Sequence, residues 1–340
     1  MTDRMHALTH WVSSQFASRT ELIPLHNDAS FRRYFRFFHQ NISYIVVDAP
    51  PTKENNEAFI FMTQLLAQQG ITVPKVYNFD LQQGFILLSD FGDTLLLDIL
   101  NAENADQWYS NSFEILHKLS TFPKDFHPKI PLFNRQHILL ELSYFTEWFL
   151  TKLLNVTLNV HDKACLYQVF ELLINACETQ PQIIIHRDFH SRNLMVLSTG
   201  MLGTIDYQDA MLGPLTYDLS SLLKDCYVTW DSYRVQAWVK HYYQILCGKM
   251  AIKHFSFERF LLCFDWVGLQ RHLKVLGIFS RLKLRDNKAR YLADIPRVLH
   301  YVLNTAREYP EFEKFYYFMQ DKVTPRFEAF LQQTGKQNIA

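Results

Sequence analysis

The chain contains 340 residues, enough for two lobes with substantial cores, and 48% of its residues are hydrophobic. Its 34 Lys and Arg side chains balance its 34 Asp and Glu side chains, so the formal net charge is zero. This balance argues against nucleic acid or a membrane surface as a partner, and it leaves any anionic ligand to be held by local groups.

The cysteines and the N-terminus predict the compartment. The five cysteines show no CxxC spacing and lie mostly in apolar helical pattern, which argues against a disulfide framework and a zinc site. The first 16 residues lack the apolar core of a signal peptide, and no apolar run approaches the length of a membrane span. We therefore expect a reducing, cytoplasmic environment.

The first part of the chain predicts a small antiparallel sheet with one main helix. Leu8, Trp11 and Val12 recur at helical spacing and predict an opening helix over residues 4–18. The main helix, over residues 55–69, ends at Gly70, a frequent stop signal. Strands are predicted at residues 21–25, 31–38, 43–47, 76–79 and 85–88.

Residues 89–93 (SDFGD) mark a change in composition, after which the pattern is mainly helical. Helices are predicted at residues 94–101, 104–121, 134–155, 160–178, 215–229, 231–248, 255–278, 288–306 and 311–333. The sequence therefore predicts an α+β fold. Residues 1–90 form a small β-rich lobe, and residues 91–340 form a large, mostly helical lobe with a few short strands.

The stretch between residues 183 and 206 carries the chemistry. Its pattern is strand, loop, strand, turn and strand, with polar groups at the strand ends. Asp188 follows the first strand, Asn193 comes five residues later, and Asp206 ends the third strand. Kinase catalytic loops show the same spacing from Asp to Asn, followed by a second Asp on a later strand. The stretch therefore predicts a phosphotransferase site.

Phosphoryl transfer requires a group that orients the attacking hydroxyl and accepts its proton, and Asp188 is the candidate. Asn193 and Asp206 supply hard oxygen ligands of the kind that Mg²⁺ prefers. Two further residues are expected to hold the loop in place. His186 would brace it by hydrogen bonding, and Asp218 would brace it from the start of a helix.

Three segments, HRDFHSRNLMV (186–196), IDYQDA (205–210) and GPLTYDLSSLL (213–223), resemble the aminoglycoside phosphotransferase and choline kinase superfamily. The resemblance implies a protein-kinase-like fold, with a nucleotide-binding first lobe and a second lobe that carries catalysis and substrate binding. It also implies ATP as the phosphoryl donor, together with Mg²⁺.

Four more segments resemble bacterial anomeric kinases that phosphorylate N-acetylmuramate and N-acetylglucosamine at C1. They are DASFRRYFRF (28–37), VVDAPP (46–51), LKDCYVTW (223–230) and LQRHLKVLGIFSRL (269–282). This closer resemblance implies a role in cell-wall sugar recycling, in which the product passes to a sugar-1-phosphate nucleotidyltransferase.

The first lobe lacks two usual kinase features, a Gly-rich loop over the phosphates and a Lys on the third strand. We expect Ser30, in the turn before the second strand, to contact phosphate. Arg33 or Arg36 is expected to neutralise triphosphate charge, and Glu57 to orient one of them. The alternative is that these arginines are solvated strand residues.

The tripeptide Asp90-Phe91-Gly92 spells the kinase DFG motif, but it comes long before the catalytic loop. We expect it to be a hinge between the lobes, at which the backbone of Asp90 and Phe91 meets adenine. The metal-binding role of the DFG aspartate then falls to Asp206.

Acceptor contacts are expected from the helical lobe. Arg192, beside the catalytic asparagine, and Asp225 are candidates for sugar contacts. Arg271 is a candidate for the lactyl carboxylate of N-acetylmuramate.

Two alternatives stay open. The first is another small-molecule kinase of the superfamily, acting on an aminoglycoside, choline or another sugar. Basic residues are plentiful between residues 223 and 275 without an acidic cluster, which disfavours a polycationic acceptor. The second is a nucleotide-binding pseudokinase, which the presence of Asp188, Asn193 and Asp206 together disfavours.

Overall fold

The computed structural model describes residues 3–16, 21–25, 31–123, 129–249, 252 and 255–337, and only the backbone of residues 249 and 334–337. The chain forms two compact units. The first unit comprises Met1–Lys118 and Ser191–Ala210, and the second comprises Leu119–His190 and Met211–Ala340. The lobe boundary between residues 90 and 91 stays a prediction.

The helices and strands follow one another in an order that separates an early β-rich part from a helical remainder. Up to residue 120 they are α1 (Asp3–Phe16), β1 (Ile23–Pro24), β2 (Arg33–His39), β3 (Ile42–Asp48), α2 (Asn56–Gln68), β4 (Val76–Asp80), β5 (Phe85–Ser89), α3 (Leu96–Ile99) and α4 (Ala105–Ser120). From residue 135 to residue 223 they are α5 (Arg135–Tyr144), a π-helical segment (Phe145–Leu153), α6 (Val160–Glu178), β6 (Gln182–Ile185), β7 (Leu194–Val196), β8 (Leu202–Thr204), β9 (Met211–Pro214) and α7 (Tyr217–Leu223). The remainder consists of α8 (Ser232–Lys249), α9 (Phe257–Leu284), a 3₁₀ turn (Ala289–Asp294), α10 (Ile295–Glu308), a second 3₁₀ turn (Pro310–Phe312), α11 (Glu313–Phe318), a π-helical segment (Met319–Val323) and α12 (Thr324–Gln337).

The first unit is organised around an antiparallel sheet, which has five strands among the described residues, in the order β1-β2-β3-β5-β4. The hairpin between β2 and β3 turns at Gln40 and Asn41, whose φ angles are 49° and 64°. Positive φ at both central residues matches the twist of the flanking strands. Helix α2 begins where the Asn55 side chain accepts the Ala58 N–H, and Gly70 follows its end with φ of 70°.

Alternation along β2 decides which side chains meet the core and which face the other side of the sheet. Phe35 and Phe37 are buried in a cluster with Leu8 and Val12 of α1. Because successive side chains of a strand point to opposite faces, Arg33 shares the α1 face, whereas Arg32, Tyr34 and Arg36 lie on the opposite one.

The long helix α9 runs through the second unit and is buried on most of its circumference. It packs against α5, α6, α7, α10 and the first π-helical segment. At Gly277 a Cβ atom would lie 2.3 Å from the backbone carbonyl carbon of Tyr144, so only glycine permits this approach. The approach sets Lys274, one turn earlier on α9, opposite Glu141, one turn earlier on α5.

The α+β fold class is confirmed, with a small antiparallel sheet and a mainly helical remainder. Several helices have other bounds than predicted. Helix α7 ends at Leu223 because Lys224 leaves helical geometry and the Asp225 carboxylate accepts the Tyr227 N–H at 2.9 Å. Helix α9 continues to Leu284, and the predicted helix over residues 134–155 changes to π geometry at Phe145.

The prediction missed β9, which pairs antiparallel with β6. Gly213 and Pro214 suggest a turn in the sequence, but Gly213 is needed inside the strand. A Cβ atom there would lie 2.3 Å from Cδ1 of Ile185. Strand β9 thus pairs with β6, the strand that leads into the predicted catalytic loop. Within the described ranges, no helix combines the length and apolar character that crossing a membrane requires.

Candidate active site

The loop after β6 is held by Asp218 in a strained conformation. Arg187 has a φ angle of 76°, which lies in a backbone region that residues other than glycine seldom adopt. The two carboxylate oxygens of buried Asp218 accept the backbone N–H groups of His186 at 2.6 Å and Arg187 at 3.0 Å. Burial raises the pKa of Asp218, although the His186 side chain and these two hydrogen bonds oppose the rise. This is the bracing geometry expected of Asp218, and His186 itself is buried in the loop.

A second buried carboxylate, Glu141 of α5, also holds this loop in place. This residue was missed in the sequence analysis. It accepts hydrogen bonds from Arg187 at 2.7 Å and Gln270 at 2.9 Å, and Lys274 lies 3.2 Å away. Burial works to raise the pKa of Glu141, but the charges of Lys274 and Arg187 lower it by more. The signal in the sequence was a lone acid within the apolar run LLELSYF.

Asp188 projects from this loop into a cationic environment. Its side chain is 46% exposed, and Lys274 Nζ lies 3.8 Å from its Oδ1. Partial burial works to raise its pKa, but the charges of Lys274, His190, Arg271 and Arg187 lower it by more. Asp188 is therefore ionised near neutral pH and is a weak base.

Helix α9 supplies the polar groups around Asp188. Arg271 is 2% exposed, and its guanidinium carbon lies 5.3 Å from the ring centroid of Tyr217. Among the described residues its Nε and Nη1 have no hydrogen-bond partner. Burial works to lower the pKa of Arg271, but Tyr217, Cys226, Asp188 and Asp218 raise it by more. A buried guanidinium with unmatched donors is costly, which makes it a candidate for contact with a ligand.

The other predicted acceptor residues lie in different places. Asp225 is buried, and its Oδ1 accepts the Tyr227 N–H, so this carboxylate shapes the segment after α7. The Tyr227 ring lies 5.4 Å from that of His190 in the catalytic loop. Arg192 belongs to the first unit and is half-buried.

The two predicted metal ligands are brought together in the first unit. Strands β7 and β8 pair so that Leu194 lies opposite Thr204. The Ile205 N–H donates to the Asn193 carbonyl at 3.1 Å, which places Asn193 beside the end of β8. Asp206 follows directly, with φ of 64°, and accepts a hydrogen bond from Gln208 at 2.8 Å.

Tyr207 fixes the position of Asp206 against the first unit. Its ring stacks on Phe59 of α2 at 5.6 Å, and its hydroxyl lies 2.9 Å from that of Thr63. The guanidinium of Arg32 lies 5.6 Å from the other ring of this stack, Phe59. Arg32 is 3% exposed and forms an ion pair with Glu54 at 3.2 Å.

The arginines expected to contact the nucleotide have other partners. Arg33 is 41% exposed and forms an ion pair with the buried carboxylate of Asp48 on the α1 side of the sheet. Arg36 binds Asp90 with two hydrogen bonds, of 2.5 and 3.0 Å, and also contacts Asp93. The expected pairing with Glu57 is not seen among the described residues, and the acid next to Arg32 is Glu54 instead.

The remaining nucleotide candidates are placed as follows. The ring of Phe91 packs against Gly203 of β8, where a Cβ atom would lie 2.5 Å from it. The Asp90 side chain is occupied by Arg36, so its backbone is what remains for a ligand. Glu57 is exposed in the first turn of α2, and Ser30 lies outside the described residues.

An α+β fold with a loop of the form HxDxxxxN, followed by Asp206 at a strand end, defines a phosphotransferase of the protein-kinase-like class. Comparison with known proteins gives the family. Residues 21–251 match the model described as "Phosphotransferase enzyme family", and the chain belongs to this family.

Sequence relatives cover nearly the whole chain. An N-acetylmuramate/N-acetylglucosamine kinase of Pseudomonas putida is 38% identical over 319 residues, 91% of this chain and 93% of that one. A protein of the same name from Pseudomonas aeruginosa is 40% identical over 292 residues, 86% of this chain and 85% of that one. The predicted resemblance is confirmed.

The solved structure of Plasmodium vivax ethanolamine kinase shares the fold. Its TM-score is 0.65 at 12% sequence identity, and the likeness covers 91% of this chain and 89% of that one. At this identity the likeness concerns the fold alone.

Proposed function

We propose that the protein transfers the γ-phosphoryl group of ATP to the anomeric hydroxyl of N-acetylmuramate and N-acetylglucosamine. The observation that carries the proposal is the 38% identity, over 91% of the chain, to a relative named as a kinase of these two sugars. The electrostatics of Asp188 support the anomeric position. An anomeric hydroxyl is more acidic than an ordinary alcohol, so a weak carboxylate base suffices and positioning carries most of the rate.

Asp188 would accept a hydrogen bond from the acceptor hydroxyl and take its proton as the bond to phosphorus forms. Asn193 and Asp206 fit Mg²⁺ because both offer hard oxygens, and two protein ligands leave positions for phosphate oxygens and water. The ion would supply charge neutralisation at the transferred phosphoryl group. The strained backbone at Asp206 holds its carboxylate at the end of β8, beside Asn193.

The first unit would hold the nucleotide, with the backbone of Asp90 and Phe91 meeting adenine. Of the three arginines near β2, we propose that Arg32 neutralises the charge of the phosphates. It lies on the sheet face of Tyr34, next to the Phe59–Tyr207 stack that positions Asp206, and Glu54 orients it. The charge of Asp206 acts on Tyr34: burial raises the Tyr34 pKa, and Asp206 raises it further while Arg32 lowers it.

Arg271 would bind the lactyl carboxylate of N-acetylmuramate, because its guanidinium carries donors that no described residue uses. Asp225 and Arg192 are the candidates for contacts to sugar hydroxyls. The sugar 1-phosphate would pass to a nucleotidyltransferase in cytoplasmic recycling of cell-wall sugars.

The test is incubation of the purified enzyme with ATP, Mg²⁺ and each sugar, with phosphorus NMR of the product. We expect a phosphomonoester at C1 for both sugars. A product phosphorylated at C6, or turnover of neither sugar, would overturn the proposal.

The matched variant is Asp188→Asn. It should lose turnover by roughly two to four orders of magnitude, since a positioned general base typically contributes about 10²–10⁴-fold. ATP binding, measured by calorimetry, should be unchanged because the proposed contact of Asp188 is with the acceptor hydroxyl. Substantial residual activity would show that Asp188 is not the base.

A further inference from the structure

Lys274 is a buried cation with carboxylates on two sides. It is 7% exposed and stands on α9, where its ammonium group lies 3.2 Å from Glu141 and 3.8 Å from Asp188. Its third neighbour is the hydroxyl of Tyr217, at 3.4 Å. The ammonium thus donates to the Tyr217 hydroxyl on α7 and forms ion pairs with Glu141 on α5 and Asp188 on the catalytic loop.

Glu141 does not need Lys274 as its only counter-charge. Its oxygens already receive the Arg187 guanidinium and the Gln270 amide, and the Tyr217 hydroxyl is 3.4 Å away. Two carboxylates, Glu141 and Asp188, face two cations, Arg187 and Lys274. Arg187 donates to Glu141 at 2.7 Å, and the charge of Lys274 is therefore shared between Glu141, at 3.2 Å, and Asp188, at 3.8 Å.

The ammonium form of Lys274 is secure. Burial works to lower its pKa, but the carboxylates of Asp188 and then Glu141 raise it by more. A buried ammonium is tolerated only when it is paired and hydrogen-bonded, and these carboxylates are its ionic partners. Glu141 thus fixes one side of Lys274, and the other side is turned toward Asp188.

We propose that Lys274 is a positioning residue, which is anchored by Glu141 and holds the Asp188 carboxylate ionised and directed at the acceptor hydroxyl. This inference rests on the proposed role of Asp188. It also gives a reason for a buried lysine on α9, within the segment LQRHLKVLGIFSRL.

Other charged groups act on Asp188 as well. Arg271 approaches it from α9, His190 and Arg187 lie on its own loop, and all three lower its pKa together with Lys274. Glu141 on α5 and Tyr217 on α7 stand behind Lys274. Removal of Lys274 therefore weakens the cationic field at Asp188 without abolishing it.

The test compares Lys274→Met with Lys274→Arg. Because Asp188 works ionised, the rate falls as pH drops through its pKa. Lys274→Met removes a cation, so the pKa of Asp188 rises and the rate is lost at a higher pH than in the wild type. At neutral pH we expect kcat to fall about 10- to 100-fold, the effect of a small misplacement of a reacting group. Lys274→Arg keeps the charge and should restore the acid limb of the pH profile.

A double variant separates positioning from a purely structural role. Lys274→Met alone leaves Glu141 with one counter-charge fewer, whereas Glu141→Gln with Lys274→Met removes one charge of each sign. We expect the double variant to be more thermally stable than Lys274→Met alone. The acid limb of its pH–rate profile should still be shifted to higher pH. A double variant with both the stability and the pH profile of the wild type would overturn the inference.

A readout without turnover keeps this result distinct from the proposed function. Aspartate can be labelled with ¹³C at the side-chain carboxyl, with Asp188→Asn used to assign the Asp188 signal. We expect its titration to move to higher pH in Lys274→Met, and an unchanged midpoint would overturn the inference. Absence of turnover with both sugars would contradict the proposed function only.

Discussion

Two of the six described non-glycine residues with positive φ, Arg187 and Asp206, lie at the proposed catalytic groups. Among the described residues with positive φ, glycines aside, the others are Gln or Asn, in keeping with tight turns, and the exceptions are Arg187 and Asp206. Strained residues of this kind persist where surrounding structure determines them, and they cluster at functional sites. Here the determinants are Asp218 and Glu141 for Arg187, and Tyr207 for the segment of Asp206.

The positions of the arginines near β2 lead to a prediction about the Michaelis constant for ATP. Arg32→Met should raise the Michaelis constant for ATP about 10- to 100-fold, because loss of a hydrogen bond to a charged group costs about 1.5–3 kcal/mol. Glu54→Gln should do the same to a lesser degree, since the arginine then loses its orienting partner. Steady-state kinetics with ATP as the varied substrate measures both.

Arg33→Met is the matched control. Arg33 lies one position further along, on the α1 side of the sheet, and its partner Asp48 keeps Arg4 as a second counter-charge at 2.5 Å. The Michaelis constant for ATP should stay within about twofold of the wild type. An effect of Arg33→Met as large as that of Arg32→Met would refute the assignment of the two sheet faces.

At the scale of elements, α9 determines the geometry of the second unit. It carries Gln270, Arg271 and Lys274 inward, although a helix of its length would ordinarily expose such side chains. Each has a partner or neighbour near the catalytic loop: Glu141, Tyr217 and Asp188. The helix therefore forms part of the core and also carries the side chains of the proposed acceptor site.

Two glycines of α9 test this packing. Gly277→Ala should destabilise the protein by about 1–2 kcal/mol, because overpacking costs about 1–3 kcal/mol and the gain in helix propensity returns at most about 1. The added Cβ would overlap the backbone of Tyr144, which has no freedom to move aside. Urea unfolding followed by circular dichroism gives the change.

Gly268→Ala, on the same helix, is the comparison. Its Cβ would lie 3.0 Å from Cδ of the Lys224 side chain, which needs to move by only a few tenths of an ångström and can keep its ion pair with Asp265. Stability should stay within about 0.5 kcal/mol of the wild type or rise through helix propensity. Equal destabilisation by both alanines would mean that the close approach at Tyr144 is not the cause.

At the scale of the whole molecule, a zero net charge hides a cluster of cations around one carboxylate, Asp188. Arg187, Arg271 and Lys274 all act on Asp188. A cationic acceptor near these groups meets repulsion on the order of 2–3 kcal/mol at an effective dielectric of about 20 and about 6 Å. This disfavours aminoglycosides and choline as acceptors and favours neutral or anionic sugars.

Glucosamine provides the test, since it differs from N-acetylglucosamine in carrying a titratable amine. We expect its kcat/KM to be at least about tenfold lower at neutral pH and to rise relative to that of N-acetylglucosamine as the amine loses its proton. Arg271→Met should reduce the difference in kcat/KM between glucosamine and N-acetylglucosamine. It should also weaken the binding of N-acetylmuramate selectively. A ratio that does not change with pH would show that charge plays no part in acceptor choice.

The α+β class could be predicted from the sequence because it depends on local patterns, and patterns of the same kind predict the catalytic loop. Strand periodicity, turn residues and the spacing from Asp188 to Asn193 to Asp206 are read within a few tens of residues. Errors came where long-range packing overrides local preference. Strand β9 was not predicted, and α7 ended earlier than predicted because Asp225 satisfied the backbone with its side chain.

Only the tertiary structure decided which charges meet. Glu141 and Gln270, which are 129 residues apart, and Lys274 beside Asp188 share no local pattern. The face of β2 on which an arginine lies depends on where α1 packs, and this placed Arg32 rather than Arg33 near Asp206. The physical reason is that a buried charge must find its partner in space, and the partner is supplied by whichever element the core brings within hydrogen-bonding distance.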